Sequence, residues 1–213
     1  MRFAVVILAG VVCAVLLCGS ARADTDPYAT LLAPVGTCGP ADAQLGLDEQ
    51  TAQSTMLCLT NYARQHAGLP PLALNVTLTT AGDAKLQADV SCGVFSHEPC
   101  GQPFDTVFAR YTAGASAFQI GENIAWGTGT FGTPRSIMDA WLHSTGHREN
   151  ILTPDFKEVG IGYLSNQAFQ GTVGAVLWSQ QFGTRTGAPA PAAAPKPAVK
   201  KKPHRKWRGL HHR

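Results

Sequence analysis

The sequence lacks several motifs that would declare a chemistry. It has no G-x-x-x-x-G-K-S/T loop to cradle phosphates, so nucleotide hydrolysis is not expected. The absence of any C-x-x-C pair removes the usual cysteine-bound zinc, and the absence of H-E-x-x-H removes the metalloprotease helix. No serine or cysteine nucleophile is recognisable beside a base, and no internal repeat is visible at solenoid periods. Charge is sparse, at 15% against 45% hydrophobic residues, and such a chain buries enough apolar surface to offset the entropy of ordering. Acid is missing from residues 184–213, which hold nine Lys or Arg, whereas residues 24–183 hold six bases and all 14 acids. The formal +3 therefore divides into a −8 region of 160 residues, suited to one domain, and a +9 tail.

The N-terminus reads as a targeting segment. Arg2 precedes an apolar run over residues 3–18, short of the roughly 20 residues a spanning helix needs. Ala21-Arg22-Ala23 then supplies the small-x-small pattern of a signal-peptidase site. The expectation is a signal peptide over residues 1–23, cleavage before Asp24, export, and no transmembrane segment after signal removal. A lipoprotein anchor on Cys18 is the alternative, opposed by bulky Leu17 where such sites want a small residue. Export leaves Cys38, Cys58, Cys92 and Cys100 in an oxidising compartment, where four cysteines imply two disulfides with three possible connectivities. Cys92–Cys100 is favoured as a short-loop bridge, and Cys38–Cys58 as a clip from the N-terminal arm to the first helix.

Residues 24–47, rich in Pro and Gly, read as an irregular arm. Ala52, Met56, Leu59 and Ala63 recur at helical spacing after Asp48-Glu49 and stop at Gly68. Leu78, Ala81, Lys85 and Ala88 mark a second helix capped by Asn75 or Thr77 and ended by Cys92-Gly93. A short third helix is expected over residues 104–110. A further one starts at Thr133-Pro134 and carries Ile137, Ala140, Trp141 and Ser144 to a stop at Gly146. Two strands follow, at residues 159–163 and 173–182, around a polar turn region at residues 165–171. This order gives an α+β fold with helices packed on an antiparallel sheet.

Seven histidines occur, three of them in the tail. His66 suits the end of the first helix by charge, and His143 reads as a surface residue. His97 and His147 each end a short turn-like stretch, and Glu122 sits between Gly121 and Asn123. Read singly, each is more readily a surface or capping residue than a chemical one.

Together they sit in a pattern. Gly-Leu-Pro-Pro-Leu at 68–72, Phe-Ser-His at 95–97, Gly-Glu-Asn-Ile-Ala at 121–125, Trp-x-x-Ser-x-Gly-His-Arg at 141–148, Asn-Ile-Leu at 150–152, Glu-Val-Gly-Ile-Gly-Tyr at 158–163 and Trp-Ser-Gln-Gln-Phe-Gly at 178–183 follow in order. In that order and spacing residues 50–183 resemble the CAP superfamily of cysteine-rich secretory, antigen-five and pathogenesis-related proteins, most of all its bacterial members. The resemblance implies a three-layer α-β-α sandwich over residues 48–183 and a central cleft where His97, Glu122 and His147 converge. A second acid of that cleft is replaced here by Ser144. Two imidazoles and a carboxylate suit a divalent metal, zinc foremost, with an open position. The resemblance further implies a secreted binding module for a lipid, a sterol-like molecule or a surface partner. Two alternatives stand beside it: a metal-dependent hydrolase acting on peptides or cell-wall polymers, and a structural or interaction protein with a vestigial cleft.

The tail over residues 184–213 has an Ala/Pro-rich spacer and a basic end, and is expected to stay extended. Residues 196–213 are expected to hold the protein to an anionic cell envelope through counterion release, with nucleic acid an unlikely partner for an exported chain. Removing the tail should release the protein from envelope fractions without changing the melting of the domain. Equal retention of the full-length and tail-less forms in low salt would show that the tail anchors nothing.

Overall fold

The computed structural model describes residues 26–187. The signal segment at residues 1–23 and the basic stretch at residues 196–213 lie outside the described residues. Helix α1 (Glu49–His66) starts where Asp48 accepts from the Thr51 amide at 2.9 Å and its hydroxyl at 2.7 Å. It buries the face of Ala52, Met56, Leu59 and Ala63 that the spacing predicts. The Pro70-Pro71 segment then runs extended into β1 (Ala73–Leu74). Asn75 caps α2 (Val76–Cys92) by accepting from the Thr77 and Leu78 amides, and Gly93 closes it in the left-handed region at φ 64°.

After a 3-10 turn over Phe104–Phe108 come the single-turn α3 (Ala109–Thr112) and strand β2 (Ala117–Gly127). Thr133 and Pro134 open α4 (Pro134–His143) as the sequence predicts. That helix ends at His143 rather than at Gly146, because the chain breaks to extended geometry at Ser144 and restarts as α5 (Thr145–Leu152). Gly146 sits in the first turn of α5, where glycine costs least. The sequence reading omits α5. Strands β3 (Glu158–Phe169) and β4 (Thr172–Thr186) form the expected hairpin, longer than predicted, with the turn contracted to Gln170-Gly171, both at positive φ. Irregular pairing between Leu164 and Phe169 absorbs the residues read as turn. Strand β4 runs to Thr186, three residues past the expected boundary at 183.

The sheet order is β1-β3-β4-β2. Strands β3, β4 and β2 are antiparallel, while two-residue β1 pairs parallel to β3, held by Ala73 and Asn75 amides on the Lys157 and Val159 carbonyls. The sheet is therefore antiparallel apart from this one edge. The extended segment after α1 passes along β3 in the same direction before the Asn75 cap turns it into α2.

Two faces of β3 make the three layers. Val159, Ile161 and Tyr163 point into the main core with Met56, Leu59, Trp141, Trp178 and Phe182, under α1, α4 and α5. Gly160 and Gly162 point the other way and let α2 lie on the sheet. A Cβ on Gly160 would overlap the Leu78 carbonyl carbon and the Thr79 nitrogen, and one on Gly162 would sit 2.6 Å from the Gly82 carbonyl carbon. The arm over residues 26–47 is irregular apart from a 3-10 turn at Pro40–Ala43. It buries Ala33 and is fastened by the Cys38–Cys58 disulfide, Cα atoms 5.7 Å apart. The second disulfide is the expected Cys92–Cys100.

Gly160→Ala should therefore cost on the order of 3 kcal/mol, because backbone atoms of α2 cannot swing aside as a side chain would. Urea unfolding of the two proteins checks this, and an unchanged midpoint would mean that α2 is not seated as described.

Candidate metal and ligand site at the sheet edge

Strand β2 closes one edge of the sheet, and its neighbouring residues Glu122 and Asn123 face opposite layers because side chains alternate along a strand. Glu122 lies opposite Gln181 in register and is directed to the α2 side. Its carboxylate is buried and spent on two partners: Oε1 meets Nδ1 of His97 at 2.6 Å, and Oε2 accepts from the Gln181 amide at 2.8 Å. Asn123, on the other side, donates to the His147 carbonyl at 3.0 Å and to Gln180 at 2.9 Å. Asn150 donates to the Glu122 carbonyl and to the Asn123 side chain. This amide ladder seats α5, and with it His147, against the edge that carries Glu122.

His97 stands on the loop after α2. Lys85, buried in α2, holds that loop by donating to the Ser96 carbonyl while paired at 2.8 Å with both oxygens of Asp89. Burial pushes the Asp89 carboxyl up, and the Lys85 contact opposes the shift. The sequence reading uses Lys85 only as a periodic position of the helix. A lysine on the apolar face four residues before an acid is the signal that was there to find. The Cys92–Cys100 bridge ties the same loop to the end of α2.

The structure thus brings His97 and Glu122 into contact and places His147 within electrostatic reach of His97. The Glu122 hydrogen bond raises the His97 pKa against the opposing effect of burial. Burial, aided by the His97 charge, lowers that of His147. The His97, Glu122 and His147 donor atoms are not all within 4.8 Å of one another. Among the described residues, the group of three that meets this spacing is Asp26, Asp139 and His143. Ser144, in the slot of the missing acid, forms the joint between α4 and α5. His66 stacks on Tyr62 and bonds its carbonyl, a surface role at the helix end.

His97 and His147 offer imidazole donors of the type that a zinc-class ion takes. A carboxylate that takes the Nδ1 proton of His97 leaves Nε2 free as a ligand, the arrangement in which an outer carboxylate orients a metal-bound imidazole. His147, whose pKa burial lowers, is the second imidazole of the cleft. Glu122 as placed stands behind His97 rather than beside it.

Beside His97 a cavity of about 360 Å³ opens between α2 and the segment from Pro99 to α3. Ala81, Ala84, Ala88, Pro103, Phe104 and Val107 give it apolar walls, and Arg110 contributes to its lining. Its size is in the range of small-molecule sites.

Glu122→Gln should lower the His97 pKa and let that of His147 rise as the neighbouring charge is lost, both read by NMR titration of the ring protons. The sign for stability follows. A histidine with a raised folded pKa contributes stability below about pH 6.5 and loses it as pH rises through the folded value. The variant should therefore lose more stability at pH 5.5 than at pH 8, and a pH-independent loss would refute the pairing. The half-exposed His97 ring keeps the effect small.

Comparison with known proteins agrees with this architecture. The CAP family model, described as the cysteine-rich secretory protein family, matches residues 57–182. The uncharacterized protein YkwD of Bacillus subtilis is 38% identical over 126 residues, covering 58% of this chain and 44% of that protein. The chain therefore matches less than half the length of this curated relative. An outer surface protein of Borrelia burgdorferi superposes with a TM-score of 0.54 at 17% identity, over 66% of this chain and 97% of that one. An extracellular SCP-domain protein of Bacillus anthracis gives 0.48 at 21% identity, over 65% of this chain and 44% of its own. With the family matched over most of the described residues, and with helices on both faces of a mixed four-stranded sheet, this chain belongs to the CAP family.

Proposed function

We propose that the protein is an exported binding module that takes a lipid or other small hydrophobic ligand in the cavity beside α2, with a divalent metal held at the cleft by His97 and His147. The observation that carries this reading is the apolar cavity itself, walled by alanines of α2 and by Phe104 and Val107, with His97 among its lining residues. An apolar chain in such a cavity gains roughly 25 cal/mol for each Å² removed from water. Arg110 suits a polar or anionic head, and sterol-like molecules belong to the same class of ligand. A zinc-class ion at the two imidazoles would supply a positive centre with an open coordination position. Glu122 orients the His97 ring, and the Asn123–Asn150 ladder holds the His147 backbone. Two disulfides and the N-terminal segment accord with an extracellular setting, and the basic tail with retention at an anionic envelope.

A second reading, hydrolysis of peptides or wall polymers, is favoured by the 2.6 Å contact of Glu122 with His97, which would hold the imidazole as a base. Among the described residues no helix is long and apolar enough to cross a membrane.

Titration of the exported chain with a fluorescent fatty acid and a labelled sterol, with and without chelator, tests the reading. Ala84→Trp and Ala88→Trp fill the cavity and should weaken binding at least tenfold, about 1.4 kcal/mol, with unfolding midpoints retained. Undiminished binding by both filled variants, or chelator-sensitive release of products from peptides or wall fragments without ligand uptake, would overturn it.

A further inference from the structure

A second cluster lies away from the cleft, on the last turn of α4. His143 Nδ1 is 2.9 Å from the Asp139 carbonyl oxygen, and a carbonyl only accepts, so Nδ1 carries the hydrogen. In the neutral ring Nε2 is then a bare lone pair, and it faces Oδ1 of Asp26 at 3.0 Å. Two lone pairs do not rest in contact at that distance. A cation must sit between them, either a proton or a metal ion.

We propose that Asp26, Asp139 and His143 form a zinc-class metal site that clips the N-terminal arm to α4. One donor atom from each of the three lies within 4.8 Å of the others. Bonds of about 2.0–2.2 Å to one tetrahedral ion place two neighbouring ligand atoms roughly 3.4 Å apart, so Nε2 and Asp26 Oδ1, 3.0 Å apart, would open by a few tenths of an ångström to admit it. The surrounding shell is also in place. A metal-bound imidazole donates its other N–H to a carbonyl or carboxylate, as His143 does, and a ligating carboxylate is itself hydrogen-bonded, as Asp26 is by the Tyr28 amide at 2.8 Å. The negative end of the α4 dipole adds to two carboxylates in favour of a cation. Arg148 opposes it from α5, but its guanidinium is drawn onto the Tyr28 ring at 4.0 Å and onto the Leu142 carbonyl. An imidazole among the donors selects a first-row divalent ion over calcium or magnesium. The partly exposed side chains leave the remaining position to solvent. Asp26 and His143 are 117 residues apart, so the ion would join the arm to the body of the domain at a second point besides Cys38–Cys58.

The test uses the exported chain with His204→Gln, His211→Gln and His212→Gln, so that tail imidazoles do not compete. Zinc chloride is titrated by calorimetry at pH 7.5. In a His97→Ala/His147→Ala background one zinc should still bind, and adding His143→Ala or Asp26→Asn should weaken it at least tenfold. Zinc should also slow amide exchange over residues 28–33 at least tenfold, and not in the Asp26→Asn protein. Thermal melting identifies any variant that fails to fold, and Asp26→Asn, at the edge of the arm, decides if His143→Ala does so. Full zinc affinity in a folded Asp26→Asn or His143→Ala protein would overturn the proposal and leave a proton as the bridging cation.

Discussion

The contact on which the rest depends is the backbone approach of α2 to Gly160 and Gly162 of β3. With no Cβ in between, Leu78 and Gly82 lie directly on the sheet. That depth decides where the buried face of α2 reaches, and the face includes a charge, Lys85, as well as Leu78 and Leu86. A lysine with no access to water needs strong partners. It finds Asp89 one turn on and the carbonyl of Ser96, and so it pins the loop that carries His97. The same seating turns the alanine row of α2 toward the cavity.

The candidate site arises where the sheet ends. An edge strand offers unpaired backbone groups, and proteins manage such edges by covering them. Here Asn150 covers the Glu122 carbonyl and the Trp141 indole covers that of Ile124. The cover serves position as well. Glu122 looks toward one helical layer and Asn123 toward the other, so a single strand places His97 and fastens the helix of His147. The opposite pKa shifts of the two rings follow from this placement. One ring, half-exposed, leans on a buried carboxylate, and the other is half-buried within reach of the first ring's charge.

The disulfides divide the remaining labour. Cys92–Cys100 fastens the loop over the cavity, so its wall does not depend on packing of that loop alone. Cys38–Cys58 fastens the arm, whose Ala33 is buried in the main core and whose Asp26 reaches α4. Two largely irregular segments, each with a single 3-10 turn, thus become parts of the domain.

What was legible in the sequence was local. The starts of α1, α2 and α4, the Gly93 stop and the alternation Val159-Gly160-Ile161-Gly162-Tyr163 are written in caps and periods that act within about four residues. The order of short motifs disclosed the family and, through it, offered His97, Glu122 and His147 as candidates. Strand β2 stayed hidden because its middle is Gly-Glu-Asn, a poor strand pattern that pairing with β4 along eleven residues overrides. Helix α5 stayed hidden behind Gly146, which reads as a stop but sits in a first turn. The partners of Glu122 lie 25 and 59 residues away, and that of His143 lies 117 away. The sequence by itself determined which side chains are available and which segments are helical. Only the tertiary structure decided that Glu122 stands behind His97, that Lys85 is buried, and that Asp26 meets His143, because each is a contact between distant segments that exists only once the layers have closed.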